Sequence, residues 1–235
     1  MTLLAFAHRA GNSLAALERA VALGADVVEA DVQDVRGTLE VHHGRSLHPL
    51  PLLWDGGRFS HVRDRRLHLR ELLSSVPPAT TVMLDVKDRT EAGSLAVARM
   101  LQENPPTEPV LVCGRHWPAM DPFVAPTWAR TVLSARTRGE LARLRGRLVR
   151  DAAGGTVHHG VSVHVSLVRP DVVRWLLGHV ELVMSWPINS GRLLDSVADA
   201  GVRGIISDED DVLRQVVARR GPAGRTTDDG VAPDG

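Results

Sequence analysis

The chain has 235 residues, of which 43% are hydrophobic and 24% are charged, and its 28 basic residues balance its 28 acidic residues. This composition is typical of a globular protein, and the zero net charge argues against non-specific electrostatic binding of nucleic acid. The single cysteine, Cys113, excludes an intrachain disulfide framework and a cysteine-based zinc cluster.

Short β-rich segments alternate with amphipathic helical segments along the chain. The predicted strands cover residues 3–8, 27–32, 80–86, 109–113, 131–135, 161–165, 181–186 and 202–207. The predicted helices cover residues 14–23, 69–76, 91–102, 138–150, 171–177, 192–200 and 210–219. A further extended segment at 38–42 precedes residues 44–67, which are rich in Pro, Gly, Arg and His and have no clear period. We expect that segment to be a long loop, and residues 118–126 to be a poor helix at best.

The alternation of strands and helices predicts the fold class. Strands that alternate with helices favour a parallel sheet. Eight such units in about 220 residues favour a closed (β/α)₈ TIM barrel, in the α/β class, over an open doubly wound sheet. No Gly-x-Gly-x-x-Gly sequence follows the first strand, which counts against a dinucleotide-binding fold. We therefore predict a single barrel domain over residues 1–220 and a disordered tail over residues 221–235, where apolar residues are scarce.

The sequence gives no sign of membrane insertion or secretion. No apolar run approaches the roughly 18 residues of a membrane span. The apolar start is interrupted at His8 and Arg9, before the apolar core of a signal peptide is complete. We therefore expect a cytoplasmic protein.

Charged side chains occur in pairs near the ends of two neighbouring predicted strands. Glu29 and Asp31 are two residues apart, so they point to the same side of their strand. Asp85 and Lys87 repeat this spacing on the next strand of the barrel, and Lys87 is the one lysine among the 28 basic residues. The carboxyl ends of the strands form the mouth of a (β/α)₈ barrel, where active sites lie. These side chains are therefore candidates for a functional site.

Three carboxylates at one barrel mouth repel one another and are costly to remove from water. A divalent cation would resolve this repulsion, and a set of oxygen ligands favours Mg²⁺, Ca²⁺ or Mn²⁺ over zinc. The alternative is a set of ion pairs with Arg9 and Lys87 and no metal.

Six short motifs follow one another in an order that is more informative than any one of them. They are His8-Arg9, residues 24–32 (GADVVEADV), 41–43 (VHH), 84–87 (LDVK), 185–189 (SWPIN) and 201–208 (GVRGIISD). In this order they resemble the motifs of the glycerophosphodiester phosphodiesterase family, over roughly residues 4–215. The resemblance implies a (β/α)₈ barrel that needs one divalent cation and cleaves glycerophosphodiesters to glycerol phosphate and an alcohol, with a cyclic phosphate as an intermediate.

The resemblance also implies a role for eight residues. Two histidines would act as general acid and general base, because imidazole titrates near neutral pH. Of the adjacent pair His42 and His43, the second occupies the register of the family's histidine. The implied assignments are His8 and His43 as catalytic residues, Glu29, Asp31 and Asp85 as metal ligands, and Arg9, Lys87 and Trp186 as substrate-binding residues.

The chain departs from the family pattern at four places. Gly11-Asn12-Ser13 stands where Glu-Asn-Thr is usual, and Ala10 stands where Gly follows His-Arg. Gly44 replaces the Asp after the second histidine, and Asp85-Val86-Lys87 replaces Glu-Ile-Lys. The last two departures are similar to the sphingomyelinase D branch of the same superfamily, which releases a cyclic phosphate from choline phospholipids. Two alternatives therefore stay open: a phospholipid lyase of that type, which would accept lysophospholipids, and a catalytically silent barrel that binds phosphoesters.

Overall fold

The computed structural model describes residues 2–46, 52–55, 58–61, 66–87 and 91–220. Its strands are β1 (Leu4–Ala7), β2 (Val27–Val35), β3 (Thr38–Val41), β4 (Arg45–Ser46), β5 (Leu52–Asp55), β6 (Arg58–His61), β7 (Leu67–His68), β8 (Thr81–Val86), β9 (Val110–Gly114), β10 (Ala129–Ala135), β11 (Gly160–His164), β12 (Leu182–Trp186) and β13 (Gly204–Ser207). Its α-helices are α1 (Leu14–Ala22), α2 (Leu69–Ser75), α3 (Glu91–Glu103), α4 (Arg138–Ala153), α5 (Pro170–Leu177), α6 (Gly191–Asp199) and α7 (Asp210–Ala218). Short 3₁₀ helices occupy Ala10–Asn12, Trp117–Phe123 and Val165–Leu167.

Eight parallel strands close into a barrel. Their order around the barrel is β1-β13-β12-β11-β10-β9-β8-β2, and β1 pairs with β2 to complete the ring. An α-helix follows seven of the eight strands, and the 3₁₀ helix Trp117–Phe123, which contains Pro122, follows β9. The predicted (β/α)₈ barrel and the poor helix in its fourth unit are both confirmed.

Local sequence signals set where the helices begin. The hydroxyl of Ser13 accepts a hydrogen bond from the backbone N–H of Ala16 (3.2 Å) and so caps α1. At α4, Thr137 and Glu140 form a capping box, in which each side chain accepts from the other residue's backbone N–H. These caps hold the turns between β1 and α1 and between β10 and α4 at the mouth of the barrel.

Side chains alternate between two cores along each barrel strand. Val28, Ala30 and Val32 of β2 face outward into the apolar layer between strands and helices, as the sequence predicts. The inward-facing side chains fill the barrel, and each fully buried Phe or Met there contributes about 1.5–3 kcal/mol. This inner core consists of Phe6, Val27, Met83, Leu111, Cys113, Val132, Leu182, Met184 and Ile206. Glu29 and Asp31 continue the inward row of Val27, so the strand directs them into the barrel mouth.

The segment between β3 and α2 corrects a prediction. β3 pairs antiparallel with β2, and β7 pairs antiparallel with β3. In the described part of residues 44–67, β4, β5 and β6 form a small antiparallel sheet, so the prediction of a long loop without regular structure is wrong there. The short strands were not predicted because the segment is rich in Gly and Pro, which have a low propensity for β-strands. The predicted tail, residues 221–235, lies outside the described residues.

None of the helices in the described ranges combines the length and the apolar content needed to cross a membrane.

Candidate active site

A cavity of about 890 Å³ opens at the carboxyl ends of the barrel strands. Seven of the eight residues predicted for the site line it: His8, Arg9, Glu29, His43, Asp85, Lys87 and Trp186. The eighth, Asp31, is fully buried beside Glu29. The structure therefore brings all eight residues to one place, although they come from five separate segments of the chain.

The three carboxylates predicted to bind metal converge. Glu29, Asp31 and Asp85 each offer one oxygen, and these oxygens lie within 4.8 Å of one another. β2 and β8 are neighbours, and Asp31 is paired with Asp85 in their register, which explains the convergence. The Lys87 ammonium sits between Asp31 (2.5 Å) and Asp85 and forms ion pairs with both. Burial alone would lower the pKa of Lys87, but Asp85 and Asp31 raise it, so the side chain stays charged.

Glu29 is the carboxylate whose charge is least compensated. It is buried, and its Oε2 accepts the backbone N–H of Arg9 (2.6 Å). Among the described residues, its nearest ion-pair partner is His8, whose Nε2 lies 4.0 Å away. Burial and the neighbouring Asp31 raise the pKa of Glu29 to about 8. Three hard oxygen donors with one uncompensated buried carboxylate fit a divalent cation.

Asn12 holds Asp31 in place through two hydrogen bonds. Its Nδ2 donates to Asp31 Oδ2 (2.7 Å), and its Oδ1 accepts the backbone N–H of Asp31 (2.8 Å). The preceding Gly11 packs so closely on β2 that a Cβ there would lie 2.7 Å from the Cβ of Ala30. The glutamate that the family carries at this position therefore does not fit here without a shift of the backbone.

His8 is paired with Asp208, the residue that follows β13. The Nδ1–H of His8 donates to Asp208 Oδ1 (2.6 Å), and Asn189 Nδ2 donates to the other carboxylate oxygen (3.1 Å). The hydrogen bond with His8 lowers the pKa of Asp208 to about 2. Burial alone would lower the pKa of His8, but Asp208 and Glu29 outweigh it and raise that pKa above its usual value. With Nδ1 engaged, Nε2 is the nitrogen left for proton transfer.

Arg9 connects the second histidine to this cluster. Its guanidinium lies 2.8 Å from the Nε2 of His43, and because a guanidinium only donates, this nitrogen must be the acceptor. Its Nε lies 3.8 Å from Asp31 Oδ2. Arg9 has a left-handed backbone (φ 56°), which is uncommon for a residue with a Cβ. In this conformation the backbone N–H of Arg9 donates to Glu29, so Arg9 contacts Glu29, Asp31 and His43.

Gln33 fixes the turn that carries His43. Its Nε2 donates to the backbone oxygens of His42 (2.8 Å) and Gly44 (3.1 Å), which flank His43 on both sides. His42 is 9% exposed and its Nε2 lies 3.4 Å from Glu40, away from the lining of the cavity. The position of His43 in the cavity follows the register assigned from the sequence, whereas its catalytic role stays a prediction.

Three residues of this site were missed by sequence reasoning: Asn12, Gln33 and Asp208. Asp208 closes the last of the six motifs at a strand end, which was a usable signal. Gln33 continues the inward row of Glu29 and Asp31, and the same period of two could have found it. The contact of Asn12 with Asp31 spans 19 residues and depends on how the 3₁₀ turn meets β2. No local pattern encodes such a contact.

A replacement of Asp208 should change the titration of His8. The variant Asp208→Asn removes the anionic acceptor of the Nδ1–H, so the pKa of His8 should fall. An NMR titration of the His8 imidazole, assigned by its loss in His8→Ala, measures this. Asp210→Asn, on α7 beside Arg19, is the matched control and should leave the titration in place. An unchanged pKa in Asp208→Asn would show that the pair does not control His8.

No protein-family model and no curated protein matches the sequence. Solved structures do match the fold. A glycerophosphodiester phosphodiesterase from Thermotoga maritima superposes with a TM-score of 0.73 at 15% identity, and the match covers 92% of this chain and 99% of that chain. One from Parabacteroides distasonis superposes with a TM-score of 0.69 at 17% identity, covering 93% and 98%.

A third similar structure contains a product. It is a phosphodiesterase from Oleispira antarctica in complex with sn-glycerol-3-phosphate, with a TM-score of 0.70 at 16% identity, and the match covers 92% of this chain and 96% of that chain. At these identities the likeness concerns the fold. It confirms that the barrel implied by the resemblance extends over nearly the whole chain.

Proposed function

We propose that this protein is a metal-dependent phosphodiesterase that cleaves glycerophosphodiesters to glycerol phosphate and an alcohol. The observation that carries the proposal is the cluster at the barrel mouth, where three carboxylates converge beside a cavity that is lined by two histidines and by the cationic side chains of Arg9 and Lys87. The similar solved structures support it, since one of those proteins holds sn-glycerol-3-phosphate as its product.

The residues divide the chemistry between two sides of the cavity. His8 and His43 are held by different partners, Asp208 and Arg9, so each can act on a different oxygen of the phosphodiester. One histidine takes a proton from the attacking hydroxyl, and the other gives one to the leaving alkoxide. We infer that the glycerol hydroxyl next to the phosphate attacks first, which forms a cyclic phosphate, and that water then opens the ring.

Glu29, Asp31 and Asp85 would hold the divalent cation, and their oxygen set favours Mg²⁺, Ca²⁺ or Mn²⁺. The cation would neutralise negative charge on a non-bridging phosphate oxygen. Arg9 and Lys87 then contribute donors from two directions, because each lies beside this carboxylate cluster and lines the cavity. Trp186 forms an apolar wall of the same cavity and contacts His164 edge-to-face at 5.2 Å.

The alternative of a silent phosphoester-binding barrel makes a different prediction. The missing glutamate near α1 motivates it, whereas the asparagine that follows this glutamate in the family is present as Asn12 and forms two hydrogen bonds with Asp31. Turnover of the p-nitrophenyl diester of glycerol phosphate, which keeps the attacking hydroxyl, with Mg²⁺, Ca²⁺ or Mn²⁺ tests the two. We expect cation-dependent release of nitrophenol, and binding of the ester without release under any of the three cations would favour the silent barrel.

Replacement of the single lysine should impair turnover although the charge is kept. The compact ammonium of Lys87 fits between Asp31 and Asp85, whereas a guanidinium is longer and planar. We expect Lys87→Arg to lower kcat/KM roughly tenfold, which corresponds to about 1.4 kcal/mol of transition-state stabilisation. Steady-state kinetics on a glycerophosphodiester measure the effect. Unchanged kcat and KM in this variant would show that Lys87 takes no part in the reaction.

A further inference from the structure

The cavity has two chemically different halves. The half at β1, β2 and β8 contains the carboxylates, His8 and His43. The other half, at the ends of β9 and β10, contains Arg115, His116 and Arg136. These strands follow β8 around the barrel, and the three residues have no part in the cleavage described above.

The strands themselves direct two guanidiniums into the cavity. On β9, Cys113 belongs to the inner core, and Arg115 follows it by two residues. On β10, Ser134 lines the cavity, and Arg136 follows it by two residues. Each arginine is the first residue after its strand, and both line the cavity. β9 and β10 are paired neighbours, so the two side chains leave adjacent strands at the same end of the barrel.

Neither arginine forms an ion pair within the described part of the chain. No carboxylate oxygen of the described residues lies within 4.0 Å of either guanidinium. Glu140 also lines the cavity and interacts electrostatically with Arg115, but its carboxylate already accepts the backbone N–H groups of Arg136 (2.6 Å) and Thr137 (3.1 Å) in the cap of α4. Arg115 and Arg136 are both exposed to the solvent that fills the cavity.

We propose that the alcohol released by this site carries a phosphate monoester, which Arg115 and Arg136 bind. The inference rests on the proposed function, since it assumes that the scissile phosphodiester occupies the half with the carboxylates. Guanidinium groups bind phosphate with paired, charge-assisted hydrogen bonds, and two of them match the charge of a monoester. A cavity of about 890 Å³ leaves room for a polar alcohol between the two phosphates.

The same half of the cavity disfavours a cationic alcohol such as choline. Quaternary ammonium groups are bound by aromatic faces. Trp186 supplies one such face, but His164 is already packed against it at 5.2 Å. Near the ends of β9 and β10 the lining carries two guanidiniums against the one carboxylate of Glu140, and this net positive charge repels a cation. The lining therefore selects an anionic alcohol over a choline ester.

A matched pair of substrates tests the proposal. Glycerophosphoinositol and glycerophosphoinositol 4-phosphate differ by one phosphate monoester on the leaving alcohol. We expect kcat/KM to be at least about tenfold higher for the phosphorylated ester, the factor that one charge-assisted hydrogen bond supplies. In the double variant Arg115→Gln/Arg136→Gln this ratio should fall towards one. The ratio should also fall in the unsubstituted protein as the salt concentration rises.

Arg130→Gln is the matched control, because Arg130 is an exposed arginine at the other end of β10. It should keep the full preference. Turnover of both esters with equal kcat/KM, or a preference that survives the double substitution, would overturn this inference and leave the proposed function standing. If the protein cleaves neither ester with any of the three cations, the proposed function fails, and the inference fails with it.

Discussion

Removal of divalent cations should abolish phosphodiester cleavage, and their return should restore it. Glu29 and Asp31 are buried and their carboxylate oxygens lie within 4.8 Å of that of Asp85, and a bound cation would stabilise the ionised form of all three, including Glu29, whose pKa is raised to about 8 without it. Dialysis against a chelator, followed by titration with Mg²⁺, Ca²⁺ or Mn²⁺ in an activity assay, measures the effect. Full activity after exhaustive chelation would contradict the assignment of a metal site.

The same cation should also stabilise the fold. A ligand that binds only the folded state raises the free energy of unfolding by about 2.7 kcal/mol at a concentration of 100 times its Kd. Thermal unfolding with and without cation should therefore show a rise in Tm for the unsubstituted protein. Glu29→Gln removes one of the three carboxylates and should lose most of this rise. An equal rise in Tm with cation in the unsubstituted protein and in Glu29→Gln would show that the cation binds elsewhere.

The second large effect should come from the histidines. We expect His8→Ala and His43→Ala each to lower kcat by roughly a hundredfold or more, the usual contribution of a general acid or base. Both side chains line the cavity and are partly exposed there, so the fold should survive their loss. Steady-state kinetics at saturating cation, together with circular dichroism, separate the chemical effect from unfolding.

His42→Ala is the control within the same turn. His42 is buried and faces Glu40, so its replacement should lower stability while kcat falls much less than in His43→Ala. A larger loss of kcat in His42→Ala than in His43→Ala would show that the assigned register is wrong by one residue.

The architecture was predictable because it follows from short-range patterns. The alternation of strand and helix, and the period of two that places Glu29 and Asp31 on one face, are properties of neighbouring residues. The six ordered motifs then placed eight candidate residues around one mouth. Closure of the barrel then brings these residues together, because all barrel strands run in parallel and their carboxyl ends meet at one mouth.

Contacts between distant segments were not predictable. The bond from Asp208 to His8 spans 200 residues and depends on the closure between β13 and β1. His158 shows the same limit away from the site. It lies in the connection before β11, yet it is 1% exposed and lies between Thr131 (2.9 Å) and Asp151 (2.8 Å). No local pattern indicates this burial, because its partners come from β10 and α4.

The most direct test of the central proposal is phosphorus NMR of the products. A glycerophosphodiester incubated with the purified protein and a divalent cation should lose its diester resonance and gain that of glycerol phosphate. A cyclic phosphate that accumulates and persists would instead favour a lyase of the sphingomyelinase D type. A diester resonance that stays unchanged with Mg²⁺, Ca²⁺ and Mn²⁺ would contradict the proposal that this barrel is a glycerophosphodiester phosphodiesterase.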